Sequence, residues 1–299
     1  MKGYYARFLT VLPTVEALAN CDDDLLHKLW EGLGYYSRVR NLKKAALVIM
    51  EQYAGRFPQT HAEILKLPGI GAYTAGAVCS IAYNLPTPAV DGNVLRVVTR
   101  LTEDPTPIDS PACKRAVEER LRGIYPKAAG DFTQALMELG ATVCGPNRKP
   151  DCENCPCKAF CGSAIHGTAE RYPVKGEKKA RKEEKMTLFI LSCQGRFALQ
   201  KRPGKGLLAS MWQFPNVVGH LETNAAMEYL ESMGLRPRTL TRQLERSHIF
   251  THIQWQMRGY FIEVAEPGGE YTWMTKETVE TEAALPTAFR QFWEEKDYV

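Results

Sequence analysis

Leu67-Pro68-Gly69-Ile70-Gly71-Ala72-Tyr73-Thr74-Ala75-Gly76-Ala77 decides how this chain is read. The stretch stands between a short apolar helix, His61 to Leu67, and a second one expected over Ala72 to Tyr83. Glycine supplies the φ > 0 that a tight helix–helix turn needs. Two glycines at a helix start also leave backbone N–H groups free to face an anion. The turn is therefore either a plain connector or a phosphate cradle that reads no base sequence. Downstream, Pro86-Thr87-Pro88-Ala89-Val90-Asp91-Gly92-Asn93-Val94 puts a carboxylate after an apolar extended run, at the mouth of the next helix. Asp is a common N-cap, so Asp91 reads as a cap as readily as a chemical group.

Around this stretch, residues 1–143 read as helix after helix. Asp22-Asp23-Asp24 caps a run through Leu25, Leu26, Leu29 and Trp30, and Ser37 opens another through Val39, Leu42, Ala46, Leu47 and Met50. Helices are expected over Asn93 to Leu101, from Ser110-Pro111 to near Gly123, and over Asp131 to Val143. Past Gly167 the pattern is polar and basic up to Lys185, then turns to period two. Strands are expected over Met186–Cys193, Arg196–Lys201, Trp212–Val218 and Ile253–Val264, with helices near Thr223–Met233 and Leu285–Glu294.

Nine cysteines fall into two groups. Cys21, Cys79, Cys113 and Cys193 sit among apolar neighbours and read as core. Cys144, Cys152, Cys155, Cys157 and Cys161 crowd into eighteen positions as C-x7-C-x2-C-x5-C, with Cys157 off the spacing and left out of the ligand set. Four thiolates suit tetrahedral zinc or a cubane iron–sulfur cluster, and spacing alone does not choose.

The 299 residues have 44% hydrophobic and 24% charged content, which excludes a chain disordered throughout and a disulfide-dense mini-scaffold. Net charge is +4, and residues 171–185, with seven Lys/Arg against three Glu, hold the excess. That stretch reads as a solvated linker or a contact for phosphate backbones. No apolar run nears the ~20 residues a membrane helix needs, and Met1–Arg7 lacks the h-region of a signal peptide. The chain is expected in the cytoplasm, associated with the nucleoid, as a monomer without a membrane partner.

Hairpin, Pro-rich loop with Asp, and cysteine cluster, in this order, resemble the helix-hairpin-helix DNA glycosylases that carry an iron–sulfur cluster. Within them the chain resembles the adenine DNA glycosylase (MutY) family over nearly its whole length. The resemblance implies a multidomain fold: an all-α glycosylase domain over residues 1–166, a basic linker over 167–185, and an α+β Nudix-like lesion-recognition domain over 186–299. It implies removal of adenine mispaired with 8-oxoguanine or guanine in double-stranded DNA, by base flipping. Gly69 and Gly71 match the DNA-binding hairpin, and Asp91 matches the carboxylate that stabilises the oxocarbenium-like sugar. Cys144, Cys152, Cys155 and Cys161 match the [4Fe-4S] ligands, with a first gap one residue longer than is common. Tyr35, in Gly34-Tyr35-Tyr36, matches a tyrosine that wedges into the base stack.

Tyr73 stands where relatives of the endonuclease III type carry a Schiff-base lysine, which implies a monofunctional hydrolytic enzyme whose tyrosine serves the sugar or Asp91. Glu138 is either a supporting acid or an exposed helix position. His248-Ile249-Phe250-Thr251-His252 matches a Phe-Ser-His recognition segment, so Phe250, Thr251 and His252 are expected at the lesion. His248 and His252 lack a third metal ligand nearby. Glu222, Glu228 and Glu231 do not form the acidic box of a Nudix hydrolase, which argues against nucleotide hydrolysis. The family's general acid, a glutamate before Gln-Gln-Thr, lies upstream of Met1 in the alignment, while Glu16 and Glu31 lie in packing helices. The chain is thus expected to be short at its N-terminus, and is either a late-assigned start or a form that binds the mispair without excising.

Overall fold

The computed structural model describes residues 2–146, 148–177 and 180–295. They divide into two compact units, residues 1–47 with 179–299, and residues 48–178. By packing, the first 47 residues therefore group with the sheet, whereas the sequence pattern groups them with the helices that follow.

The N-terminal part holds α1 (Lys2–Val11), α2 (Val15–Asn20), α3 (Asp23–Leu29) and the start of α4 (Ser37–Gln52). Thr14 caps α2 through the Ala17 N–H, and Asp22 caps α3 by accepting from the N–H groups of Asp24 at 2.8 Å and Leu25 at 3.2 Å. These amides hold the Asp22 carboxyl below its ordinary value.

Residues 48–178 contain α5 (His61–Ile64), α6 (Ala72–Ala77), α7 (Gly92–Thr102), α8 (Pro111–Arg122), α9 (Ala129–Glu138) and α10 (Gly162–Ile165). Two expected helices keep their extent, over residues 72–83 and 129–143, but change winding on the way. α6 and α9 each pass into a single wide π-turn, Val78–Ala82 and Leu139–Val143. α6 crosses the Pro88–Asn93 segment just before its turn, and the turn after α9 lies on that segment itself, both without side-chain clearance. A Cβ on Gly76 would sit 2.0 Å from the Pro88 carbonyl oxygen, and one on Gly140 would sit 2.6 Å from Asn93 Cβ. Val90, Val94, Val98, Cys113, Val117 and Leu121 close the core between α7 and α8. Cys21, Cys79, Cys113 and Cys193 are all buried, as expected of core residues.

The sheet part is mixed. Its strands are β1 (Lys182–Cys193), β2 (Arg196–Lys201), β3 (Trp212–Gln213), β4 (Asn216–Val218), β5 (Pro237–Ile249), β6 (Ile253–Val264) and β7 (Thr272–Thr275). The order is β3-β2-β1-β6-β5, with β4 also on β1 and β7 on β2. β1 and β2 join through Gln194 and Gly195, both at positive φ, the conformation a two-residue hairpin of right-handed twist requires. β1 and β6 run parallel, from Lys182↔Ile253 to Ser192↔Glu263. That pairing starts the strand four residues before the expected Met186, so the linker ends earlier. Lys178 and Lys179 of the basic stretch lie outside the described residues. Pro215, with no N–H to donate, falls between β3 and β4 and splits the single strand expected there.

Both faces of β1 are buried. Leu188 and Ile190 face one core, with Phe261, Phe289, Phe292 and Trp293. Phe189 and Leu191 face the other, with Leu230, Tyr260 and Ile262. α11 (Thr223–Ser232), α12 (Lys276–Thr281) and α13 (Thr287–Trp293) complete this part. Glu31, just beyond α3, accepts the Leu285 N–H at 2.9 Å and pairs with Lys28 at 2.9 Å and with Arg290. Lys28 also donates to the carbonyls of Val279 and Ala283. Glu31 is thus committed to packing, as the resemblance implies.

Two outcomes are expected. Gly140→Ala should destabilise by about 1–3 kcal/mol, since backbone and Asn93 must move to admit a methyl group, while Gly71→Ala, whose Cβ would meet nothing within 4 Å, should cost less, about 0.5–1 kcal/mol for the poorer N-cap; thermal denaturation compares them. His27 is 2% exposed, and neither ring nitrogen makes a hydrogen bond of good geometry. Burial, then the charge of Arg40, holds its pKa below the ordinary 6.5. Below about pH 6.5 the unfolded chain therefore binds a proton that the fold refuses, and stability falls as pH falls. Denaturant midpoints between about pH 7.5 and pH 5 should drop less in His27→Leu than in the parent.

Candidate functional site

The hairpin is built as its glycines suggest. Leu67 is buried, the Ile70 N–H closes a turn on the Leu67 carbonyl at 3.1 Å, and Gly69 adopts φ +76°. Gly71 is the N-cap of α6 and offers no side chain to its amides, and residues 71–74 are exposed. Tyr73 stands on the first turn of α6, 38% exposed.

Asp91 caps α7. Its Oδ1 accepts the Val94 N–H at 2.8 Å and its Oδ2 accepts the Asn93 side-chain amide at 2.9 Å. The buried pair Ala89 and Val90 anchors the segment behind it, and the carboxylate remains half-buried. Capping and presentation are therefore one arrangement, because the same two hydrogen bonds fix the half-buried carboxylate at the mouth of the helix.

Arg96 and Arg100, one turn apart on α7, are both buried. Arg96 donates to Asn93 Oδ1 at 2.8 Å, to the Cys144 carbonyl at 2.7 Å and to the Gly140 carbonyl. The chain of contacts runs from Asp91 through Asn93 and Arg96 to the cysteine loop. Arg100 donates to Cys144 Sγ at 3.1 Å, to the carbonyls of Cys144 and Gly145, and to those of Ala169 and Tyr172. Neither arginine was singled out from sequence. Two arginines four residues apart in the otherwise apolar run Val94–Leu101 are the signal, since buried arginine is rare unless it is paired.

Cys144, Cys152, Cys155 and Cys161 line one cavity of about 30 Å³, and Cys157 lines it with them. That is more than the ~10–15 Å³ one water needs. Among the described residues, no three His, Cys, Asp or Glu side chains form a group that could hold a single metal ion. The sulfurs share a space rather than a point. Burial pushes the thiols of Cys152 and Cys157 up, and neighbouring thiols add to it. Glu138 is exposed at the end of α9.

A second cavity, of about 480 Å³, lies in the other unit. It brings together Tyr35 with Phe250, Thr251 and His252, from stretches more than two hundred residues apart. Gly34 and Tyr35 both adopt positive φ, and Tyr35 is 66% exposed with the Arg38 guanidinium 4.7 Å from its ring centre. For a non-glycine residue that backbone costs about 1–2 kcal/mol. The Trp30 indole holds the turn by donating to the Gly34 carbonyl at 3.0 Å. Opposite, the Phe250 N–H bonds the Ile253 carbonyl at 2.8 Å, forming the tip between β5 and β6. Phe250 packs edge-on between His248 and Trp255, leaving Thr251 and His252 exposed. Arg40 and the loop Gly206–Leu208 complete the wall, and neither was anticipated. Burial lowers the pKa of both Arg40 and His248. Glu222 is ion-paired to Arg258 at 2.7 Å, and Glu228 and Glu231 are exposed.

Comparison with known proteins agrees with this layout. Residues 1–125 match the HhH-GPD superfamily base excision DNA repair protein and residues 186–295 match the NUDIX domain. The adenine DNA glycosylase of Homo sapiens is 33% identical over 355 aligned positions, covering 97% of this chain and 63% of the relative. That of Buchnera aphidicola subsp. Acyrthosiphon pisum is 31% identical over 251, covering 83% of this chain and 70% of the relative. The chain thus spans somewhat under two-thirds of its human relative's length. The solved structure of a thermostable thymine-DNA glycosylase superposes with a TM-score of 0.50 at 29% identity, covering 55% of this chain and 76% of that one. With hairpin, capped carboxylate and Nudix-like sheet all present and relatives of one kind along nearly its full length, the chain belongs to the adenine DNA glycosylase family.

Proposed function

We propose that the protein is a monofunctional DNA glycosylase that hydrolyses the N-glycosidic bond of adenine paired with 8-oxoguanine or guanine in duplex DNA. The observation that carries this reading is Asp91, a carboxylate held in a fixed orientation by the Val94 N–H and the Asn93 amide at the mouth of α7. As the base departs, positive charge develops on the sugar, and a preoriented carboxylate stabilises it without reorganising. Tyr73 has no amine and forms no Schiff base, so water rather than the protein takes the sugar carbon. The hairpin at Gly69 and Gly71 takes a phosphate on backbone amides.

The opposite base is assigned to the cavity of Tyr35, Phe250, Thr251 and His252. Tyr35 supplies an exposed ring for stacking, Phe250 an apolar wall, and Thr251 and His252 hydrogen-bonding groups for the changed edge of the lesion. A [4Fe-4S] cluster is assigned to Cys144, Cys152, Cys155 and Cys161, supported by their common cavity and by the Arg100 hydrogen bond to Cys144 Sγ. When bound, it supplies a rigid cross-link for the loop 144–161. Arg96 then passes that order to Asn93, which orients Asp91.

Incubation with a duplex bearing one A:8-oxoguanine pair tests the reading. Free adenine should appear, with strand cleavage only after alkali. Asp91→Asn keeps a good N-cap, so it should fold and bind while losing about 10²–10³-fold in rate. Unchanged turnover in this variant, or tight binding by the parent with no adenine released, would overturn the assignment. Phe250→Ala should lower kcat/KM on A:8-oxoguanine about tenfold, or ~1.4 kcal/mol, with a smaller loss on A:G; equal losses on both would remove Phe250 from lesion reading.

A further inference from the structure

Five cysteines, not four, surround the cavity beneath α7. Cys157 falls off the ligand spacing, yet it lines the same wall as the others. It also shares their half-buried state, whereas the four core cysteines are buried. Cys157 hydrogen-bonds Cys155, and Cys152 and Cys157 border one space with Cys144, Cys155 and Cys161.

The backbone explains how Cys152 and Cys157 both reach that space. Consecutive turns wrap the segment around the cavity: the Cys155 N–H bonds the Cys152 carbonyl at 3.3 Å, the Lys158 N–H the Cys155 carbonyl at 3.0 Å, and the Phe160 N–H the Cys157 carbonyl at 3.2 Å. Cys152 and Cys157 therefore flank Cys155 from opposite sides in sequence. Pro156, its φ fixed by the ring, stiffens the two-residue step between Cys155 and Cys157.

We propose that Cys157 is a reserve ligand, able to take the position of Cys152 on the cluster while Cys144, Cys155 and Cys161 keep theirs. This rests on the cluster assignment above. The exchange is redox-neutral: Cys157 releases its thiol proton to solvent, and its sulfur fills the coordination position that the Cys152 sulfur would have held. Among the described residues that line the cavity, the thiolates have the softness that suits an iron–sulfur cluster.

Iron and acid-labile sulfide per chain, with the visible absorption of the purified full-length protein, test this after reconstitution with iron and sulfide. Alanine is used so that no oxygen ligand replaces the thiolate. The parent, Cys157→Ala and Cys152→Ala should each hold about four iron, while Cys152→Ala/Cys157→Ala and Cys144→Ala should lose most of it. A Cys152→Ala protein without iron, folded or not, overturns the inference, because a ligand that cannot rescue is not a reserve. A double variant that stays fully loaded overturns it too. A parent that takes up no iron instead overturns the cluster assignment, and this inference with it.

Discussion

At Gly76 there is no room for a methyl group, since the Pro88 carbonyl oxygen occupies its place at 2.0 Å. The helical unit depends on this contact. It presses the hairpin helix α6 against the segment that ends in Asp91, and Gly140 presses from another side onto Asn93. With both crossings made on backbone, the position of Asp91 is determined by chain geometry rather than by the rotamers of large side chains. Close-packed interiors transmit strain. A shift in the hairpin or in the turn after α9 is therefore a shift in the carboxylate.

The sheet unit solves a different problem, the meeting of residues far apart in sequence. Glu31, Lys28 and Arg290 tie the end of α3 to the start of α13, with backbone groups at both ends sharing the charges. Half-buried ion pairs of this kind add little to stability, but their geometry admits one alignment of the two stretches. Here the register places the strained Gly34–Tyr35 turn beside the tip at Phe250. A backbone held at positive φ in an exposed tyrosine costs free energy, and the Trp30 hydrogen bond to Gly34 offsets part of that cost.

Local features were legible in the sequence because their causes are local. Gly69, Gly71 and the Asp91 cap depend on a few adjacent residues, and β6 is a run of apolar alternation found at its expected bounds. β5 was not legible, because as an edge strand it carries Arg242 and Arg246, both ion-paired to Glu295, on one face and the exposed Glu245 on the other, and fully buries neither. The wide turns after α6 and α9 could not be read either, since their neighbours across the fold lie at Gly130 and Asn93. Family likeness brought Tyr35 and Thr251 to notice, yet their sharing a cavity is a tertiary fact. Cys157 was set aside because spacing counts residues along a line, whereas turns wrap the line around a space.

The ladder between β1 and β6 has a consequence for how this protein can vary. Eleven consecutive pairs run from Lys182↔Ile253 to Ser192↔Glu263, and the Lys182 N–H bonds the His252 carbonyl at the very tip. Removing or adding one residue within β6 would exchange its two faces and turn both cores inside out. The ladder therefore works as a ruler of fixed length. Descendants of this chain are free to change which side chains stand at positions 250–252, but the reach of that tip is set by the sheet that carries it.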